Sequence, residues 1–195
     1  IEAASQGPGR GRHSAPQRKA IHKNNGMGRP KMTNIKGFRH NGEQDREPYC
    51  YTESGLDDVY LLSGYEREQT AYGEGVTIKD VDELHKAIGC TLATQKKFLS
   101  GKELRFLRKE MDLTQVELGQ LVGLSDQQVA RWEKDKYEIP SAADYVIRFF
   151  YLEHIKKQVN LRGLIEKLKN MDTQNLEGRF VFEDTRQGWR RRKTA

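Results

Sequence analysis

The middle of the chain repeats one short pattern of apolar and polar residues three times. In each copy an apolar residue precedes Ser or Thr, Glu or Gln follows three residues later, and a second apolar residue comes next. This is the pattern of a capping box inside a hydrophobic staple, which satisfies the free backbone N–H groups where a helix begins. The copies are Leu99-Ser100-Gly101-Lys102-Glu103-Leu104, Leu113-Thr114-Gln115-Val116-Glu117-Leu118 and Leu124-Ser125-Asp126-Gln127-Gln128-Val129. They predict helices beginning at residues 100, 114 and 125, and short helices so close together are typical of a helix-turn-helix.

The segment before this unit predicts a small β element. Residues 58–62 form a strand candidate, Ser63-Gly64 a turn, and Tyr65 the start of a returning strand. Residues 76–78 form a third short strand candidate. We therefore expect a hairpin followed by one more strand.

A helix is predicted between the β element and the repeated unit. Asp80 and Glu83 form a fourth capping-box pattern at its start. Its apolar positions recur every four residues, at Leu84, Ile88 and Leu92. This spacing places one apolar stripe toward a core.

The segment after the unit also predicts helix. A helical apolar stripe is formed by Ala143, Val146, Ile147 and Phe150. We expect the helix to continue from Tyr151 to about Asn170. Residues 180–182 predict a short terminal strand, and residues 190–193 a solvated basic end.

Composition changes this picture mainly at the N-terminus. The chain of 195 residues has a net charge of +6, and residues 1–48 account for all of it with ten basic and four acidic residues. We interpret them as a disordered basic arm, and favour a solvated extension over a phosphate-binding arm. Because the chain begins at Ile1, we expect either a missing upstream portion or a misassigned start, with Met27 and Met32 as alternatives. The remaining residues are neutral, so DNA binding has to be argued from the motif.

Other classes of function find little support in the sequence. Cys50 and Cys90 are the only cysteines, without a metal-ligand spacing, so we expect reduced thiols, with a disulfide as the alternative, and no metal or cofactor. No nucleophile–base pair occurs at a recognisable spacing, so we expect no enzyme. No apolar run is long enough to span a membrane, and we expect a soluble protein of the bacterial cytoplasm, associated with the nucleoid.

The third helix of the unit has the residues of a DNA-reading helix. If Val129 lies in the core, Trp132 lies on the same face three residues later. Gln127, Arg131 and Lys134 then lie on the opposite face, where their donors reach base edges and phosphates. The predicted recognition helix spans about residues 125–135 in the major groove, and Gln128 belongs to the predicted contact set.

Residues at the helix junctions have two further predicted roles. Glu133 comes four residues after Val129 and would be costly if buried unpaired, so we predict a structural ion pair with Arg108. Gln115, at the start of the second helix, is placed to bind a phosphate. Ser125 is predicted to cap the third helix first and contact DNA second.

These residues resemble the Cro-like and lambda-repressor-like (XRE) helix-turn-helix family. The matching positions are Arg108, Leu113-Thr114-Gln115, Glu117-Leu118, Leu124-Ser125 and Val129-Ala130-Arg131-Trp132-Glu133. The resemblance implies a mainly α, five-helix lambda-repressor-like domain that binds double-stranded DNA as a homodimer. It also implies that Arg108 and Glu133 form a structural pair and that Gln115, Gln127 and Arg131 lie at DNA contacts.

The wider layout is similar to that of the MqsA-type antitoxins. Residues 49–57 resemble their small Cys-rich head, but Cys50 stands alone where paired zinc cysteines are expected. The expected division is a basic arm (1–48), a β element (49–79), a linking helix (80–98), the helix-turn-helix domain (99–152) and a C-terminal helical extension with a basic tail (153–195). The leading hypothesis is a sequence-specific transcriptional regulator, and the alternative is an antitoxin that neutralises a toxin partner and autoregulates its operon.

Overall fold

A computed structural model describes residues 48–70, 73–171 and 179–192. The predicted basic arm therefore lies outside the described residues, except for Pro48. Among the described residues there is no helix long and apolar enough to cross a bilayer. Cys50 and Cys90 are both free thiols.

The described residues form both helices and sheets. The strands are β1 (Tyr49–Cys50), β2 (Val59–Leu61), β3 (Tyr65–Thr70), β4 (Gly73–Ile78), β5 (Phe180–Thr185) and β6 (Gly188–Arg192). The helices are α1 (Val81–Gln95), α2 (Gly101–Glu110), α3 (Gln115–Val122), α4 (Asp126–Trp132), α5 (Ser141–His154) and α6 (Leu161–Lys169). About half of the described residues are helical and several small strands accompany them, so the described part of the chain is not plainly all-α, and the expected five-helix count is not confirmed.

The sheet joins two distant parts of the sequence. Its strand order is β1-β2-β5-β6, and β2 pairs in parallel with β5 through Val59 opposite Phe180 and Leu61 opposite Phe182. The predicted return of the chain from β2 to β3 is wrong, because β3 pairs with β4 in a separate antiparallel hairpin. Both edges of β2 are already occupied, by β1 and β5, so no edge remains for β3.

The same sheet changes the interpretation of the C-terminal residues. The strand predicted at residues 180–182 is part of β5. The predicted basic end lies in β6 up to Arg192, where Arg190 remains 64% exposed, but its arginines are paired: Arg190 and Arg192 bond Glu183, and Arg191 bonds Gln95 of α1. Strands from the predicted β element and the predicted C-terminal extension therefore share one sheet, and the division into domains stays a prediction.

The repeated pattern begins helices where the sequence predicts. Ser100 and Thr114 each accept a backbone N–H three residues on, and the Glu at that position bonds back to the cap, completing two capping boxes. Ser125 accepts from the backbone N–H of Gln128, but the Gln128 side chain makes no return bond. Asp80 precedes α1 without capping it, because its backbone is left-handed, with φ of 46°. The helix predicted there is present, and the predicted capping box is wrong.

The predicted continuous helix over residues 151–170 is interrupted. Helix α5 ends at His154, and Lys156 adopts a left-handed conformation with φ of 56°. The N–H of Lys157 then bonds the carbonyl of Leu152, which closes the helix end. Asn160 starts α6 by accepting two backbone N–H groups through its side chain.

A single core connects the sheet to the helices. The predicted stripe of α1, Leu84, Ile88 and Leu92, is at most 1% exposed. Arg148 of α5 is also fully buried, and its guanidinium donates to Asp144 and to the carbonyl groups at the end of α1. These bonds satisfy carbonyls that the helix leaves free, and they fix α1 against α5.

Candidate nucleic-acid interface

Helices α3 and α4 form the helix-turn-helix. The turn begins at Gly123, whose φ of 71° suits glycine, and the N–H of Leu124 bonds the carbonyl of Gly119 at 2.8 Å. A Cβ at Gly119 would lie 2.7 Å from the carbonyl oxygen of Leu124. The two helices therefore approach each other through a position that only glycine fills without displacement.

Helix α4 has one buried face and one exposed face. Val129 is 0% exposed and Trp132 is 1% exposed, so both pack into the core. Gln127 and Arg131 are exposed, Gln128 is half-buried and Ser125 is exposed at the cap. The side chains of Gln127 and Arg131 are thus available for contacts outside the molecule.

The structure ends α4 earlier than the sequence predicts. Helix α4 stops at Trp132, and Asp135 adopts a left-handed φ of 51°. The Asp135 carboxylate accepts from the backbone N–H of Gly101, and the N–H of Lys136 bonds the carbonyl of Arg131. Lys134 therefore lies in the turn after α4, where it is exposed, and its position does not follow from a helical projection.

Three helices meet at the Glu133 carboxylate. Arg108 of α2 donates to it through Nε at 2.5 Å and Nη2 at 3.2 Å, and Arg108 also bonds the carbonyl of Leu113. Gln115 of α3 donates to the same carboxylate at 2.8 Å. The Glu133 side chain is 4% exposed and that of Arg108 is 11% exposed. Charge and hydrogen bonds therefore hold α2, α3 and the end of α4 in one arrangement.

Sequence reasoning missed the bond between Gln115 and Glu133. Gln115 was expected to bind a phosphate, but its amide N–H points to Glu133, and the side chain is half-buried. Nothing in the local pattern signals this contact, because the partner is 18 residues away. The contact fixes the N-terminus of α3 beside the α4 face.

A second contact was also missed, on the exposed face. The Arg131 guanidinium lies 5.8 Å from the centroid of the Tyr137 ring, and Tyr137 is 60% exposed. Because α4 ends between these residues, a helical pattern could not have paired them. The ring restricts Arg131 on the surface by a cation–π contact.

The start of α3 carries a perturbed carboxylate. The backbone N–H and then the hydroxyl of Thr114 donate to Glu117, and these bonds hold the pKa of Glu117 below its ordinary value. Hydrogen bonds to the charged form have this effect. Glu117 therefore stays ionised near the positive end of the α3 dipole.

The described residues contain no group of three or more His, Cys, Asp or Glu side chains arranged to hold a metal ion. The chemistry that this face offers is hydrogen bonding by amides and a guanidinium. These are the groups that bind adenine and guanine edges in the major groove.

Comparison with known proteins agrees with this geometry over one segment. Residues 104–144 match the helix-turn-helix family model, which covers roughly a fifth of the chain from α2 into α5. The match identifies a helix-turn-helix domain and supports the XRE type. No curated protein and no solved structure matches the chain.

Proposed function

We propose that the protein is a sequence-specific transcriptional regulator that inserts α4 into the major groove of double-stranded DNA. The observation that carries this proposal is the division of α4, with Val129 and Trp132 buried while Gln127 and Arg131 are exposed. This division lies inside the segment that matches the helix-turn-helix family. Arg bonds guanine through two donors and Gln bonds adenine in the same way, which gives sequence discrimination.

The remaining predicted contacts have separate roles in this proposal. Lys134 lies just beyond α4 and supplies charge to a phosphate. Gln128 and Ser125 lie at the start of α4, where Ser125 caps the helix and approaches the groove edge. Gln115 uses one N–H on Glu133 and has a second N–H for a phosphate.

We further propose that the protein acts as a homodimer on a pseudo-palindromic site. This part rests on the resemblance to the XRE family, in which two recognition helices bind half-sites about 34–36 Å apart. The proposal assigns no catalytic activity and no cofactor, and it places the protein on the nucleoid in the bacterial cytoplasm.

The test is selection of bound fragments from genomic DNA, followed by affinity measurement at stated salt concentrations. Arg131→Ala should lose about 1–3 kcal/mol on the selected site and relax the preference at one base pair. Lys134→Ala should weaken all sequences alike and reduce the salt slope by about one. Lys167→Ala on α6 is the matched control and should bind like the parent.

Two outcomes would contradict the proposal. If Arg131→Ala and Lys134→Ala both bind like the parent, the assigned face is wrong. If fragment recovery is independent of sequence and the chain instead binds the product of a neighbouring gene, the antitoxin function replaces it.

A further inference from the structure

The turn after α4 carries an exposed aromatic ring. Tyr137 is 60% exposed, and the centroid of its ring lies 5.8 Å from the guanidinium carbon of Arg131. Residues six positions apart on one continuous helix do not share a face, so this contact depends on the end of α4 at Trp132. Packing in the core does not account for a ring that is mostly in solvent, and its contact with Arg131 remains to be explained.

The backbone on both sides of Tyr137 is held in place. The Asp135 carboxylate accepts from a backbone N–H at the start of α2 at 2.6 Å. The N–H of Lys136 donates to the carbonyl of Arg131 at 3.0 Å, and Ile139 packs against the core. The turn is therefore tied to α2, to the end of α4 and to the core, and it keeps the Tyr137 ring beside Arg131.

The contact leaves the charge of Arg131 available. Within the described part of the chain, no carboxylate pairs with the Arg131 guanidinium. An aromatic ring attracts a cation through its electron-rich face and adds no negative charge of its own. A carboxylate in the same place would take N–H donors that are needed for the O6 and N7 acceptors of guanine. Tyr137 thus restricts Arg131 without competing with a base.

Restriction of Arg131 has two consequences for DNA binding. Ordering a long side chain at an interface lowers affinity, and a contact that orders the side chain in the free protein reduces this cost. An arginine that moves freely also reaches phosphates, which carry no sequence information. Gln127 lies one helical turn before Arg131, so a restricted Arg131 stays on the face that the predicted base contacts share.

We propose that Tyr137 is a positioning residue that orders Arg131 before DNA is bound and directs its guanidinium to a guanine. This inference rests on the proposed insertion of α4 into the major groove, and it adds the base that Arg131 binds and the residue that sets this preference. The Tyr137 side chain itself bonds no base. A cation–π contact at an exposed site corresponds to about a two- to fivefold effect on affinity.

Proton NMR of the full chain without DNA tests the ordering of Arg131. The Arg131 Hδ protons should carry an upfield ring-current shift that Tyr137→Leu abolishes and Tyr137→Phe keeps. Phe98→Leu is the matched control, because the Phe98 ring is 62% exposed and lies 5.8 Å from the ammonium nitrogen of Lys97. It should leave the Arg131 resonances unchanged. If Tyr137→Leu also leaves them unchanged, the proposal is overturned.

Competition binding then tests the preference for guanine. The site selected by the parent is compared with the same site after the guanine–cytosine pair that Arg131→Ala ceases to distinguish is replaced by adenine–thymine. Tyr137→Leu should lower the ratio of the two affinities about two- to fivefold, whereas Tyr137→Phe and Phe98→Leu should keep the ratio of the parent. In the Arg131→Ala background, Tyr137→Leu should change affinity for the selected site by less than about 1.5-fold.

The outcomes separate this inference from the proposed function. If the parent selects no sequence, the proposed function fails and this inference fails with it. If Arg131→Ala loses a guanine preference that Tyr137→Leu retains, only this inference is overturned. It is also overturned if Tyr137→Phe loses as much as Tyr137→Leu, since the hydroxyl then acts, or if Tyr137→Leu is equally harmful without Arg131.

Discussion

Replacing Glu133 by Leu removes the carboxylate that accepts from both Arg108 and Gln115. The Arg108 guanidinium would keep its bond to the Leu113 carbonyl. Its side chain is only 11% exposed, so its positive charge would be left nearly buried without a counter-ion. Breaking a buried ion pair on one side costs about 3–5 kcal/mol. The reverse change, Arg108→Met, leaves a carboxylate that is 4% exposed and should cost a similar amount.

The double variant should be far less damaged than the two single variants together. With both charges removed, the remaining loss is that of two charge-assisted hydrogen bonds, from Arg108 to the Leu113 carbonyl and from Gln115 to Glu133, about 2 kcal/mol each. Two single losses of about 4 kcal/mol each then leave a coupling energy of about 4 kcal/mol. Urea denaturation followed by far-ultraviolet circular dichroism measures all four stabilities.

The exposed pair of Lys102 and Asp57 is the matched control. These side chains are 54% and 78% exposed, so their coupling in the same assay should be about 0–1 kcal/mol. If Glu133→Leu and Arg108→Met add to within about 0.5 kcal/mol, the two residues do not act as a buried pair and the reasoning is refuted.

Three further changes test other parts of the fold. Arg148→Lys should lower the free energy of unfolding by about 2–4 kcal/mol, because an ammonium group cannot bond the carbonyls at the end of α1 and the Asp144 carboxylate together as the guanidinium does. An unchanged midpoint in urea denaturation would contradict this. Gly119→Ala should lower the free energy of unfolding by about 1–3 kcal/mol, because the added Cβ overlaps the turn after α3. Gly163→Ala, where nothing lies within 4 Å of the added Cβ, should instead stabilise α6 by about 0.5–1 kcal/mol. Equal effects of the two changes would contradict the close contact at Gly119. The pKa of Glu117 is lowered in the folded state, so its ionised carboxylate should stabilise the fold at neutral pH, and this stabilisation should be lost as the pH falls through the folded pKa. A carbon-detected NMR titration of Thr114→Ala should show the pKa of Glu117 moving partly back toward its ordinary value.

Local patterns were enough to predict where most of the helices begin. Ser100 and Thr114 act within three residues of themselves, so their capping boxes are readable from the chain and are confirmed. Asp80 has the same spacing to an acidic residue but a left-handed backbone, and the pattern does not reveal that conformation. The predicted burial of Val129 and Trp132 followed from helical periodicity and is confirmed.

Contacts between distant residues were beyond such patterns. Strand β2 pairs with β5, which lies more than 100 residues later in the sequence, and no local pattern indicates that partner. The turn at residues 63–64 instead favoured a hairpin between β2 and β3. Arg148 can be buried because carbonyl groups at the end of α1 accept hydrogen bonds from its guanidinium. Only the assembled fold brings those carbonyl groups next to α5. The role of Gln115 was incompletely predicted for the same reason.

The pairing of β2 with β5 also sets an order of events during synthesis. Val59 leaves the ribosome roughly 6–25 s before its neighbour Phe180 at about 5–20 residues per second. Throughout that interval one edge of β2 has no partner strand, and α2 to α5, which lie between Val59 and Phe180 in the sequence, are translated within it. The helix-turn-helix can therefore reach its native arrangement on the ribosome first, and the sheet closes only as translation nears residue 192.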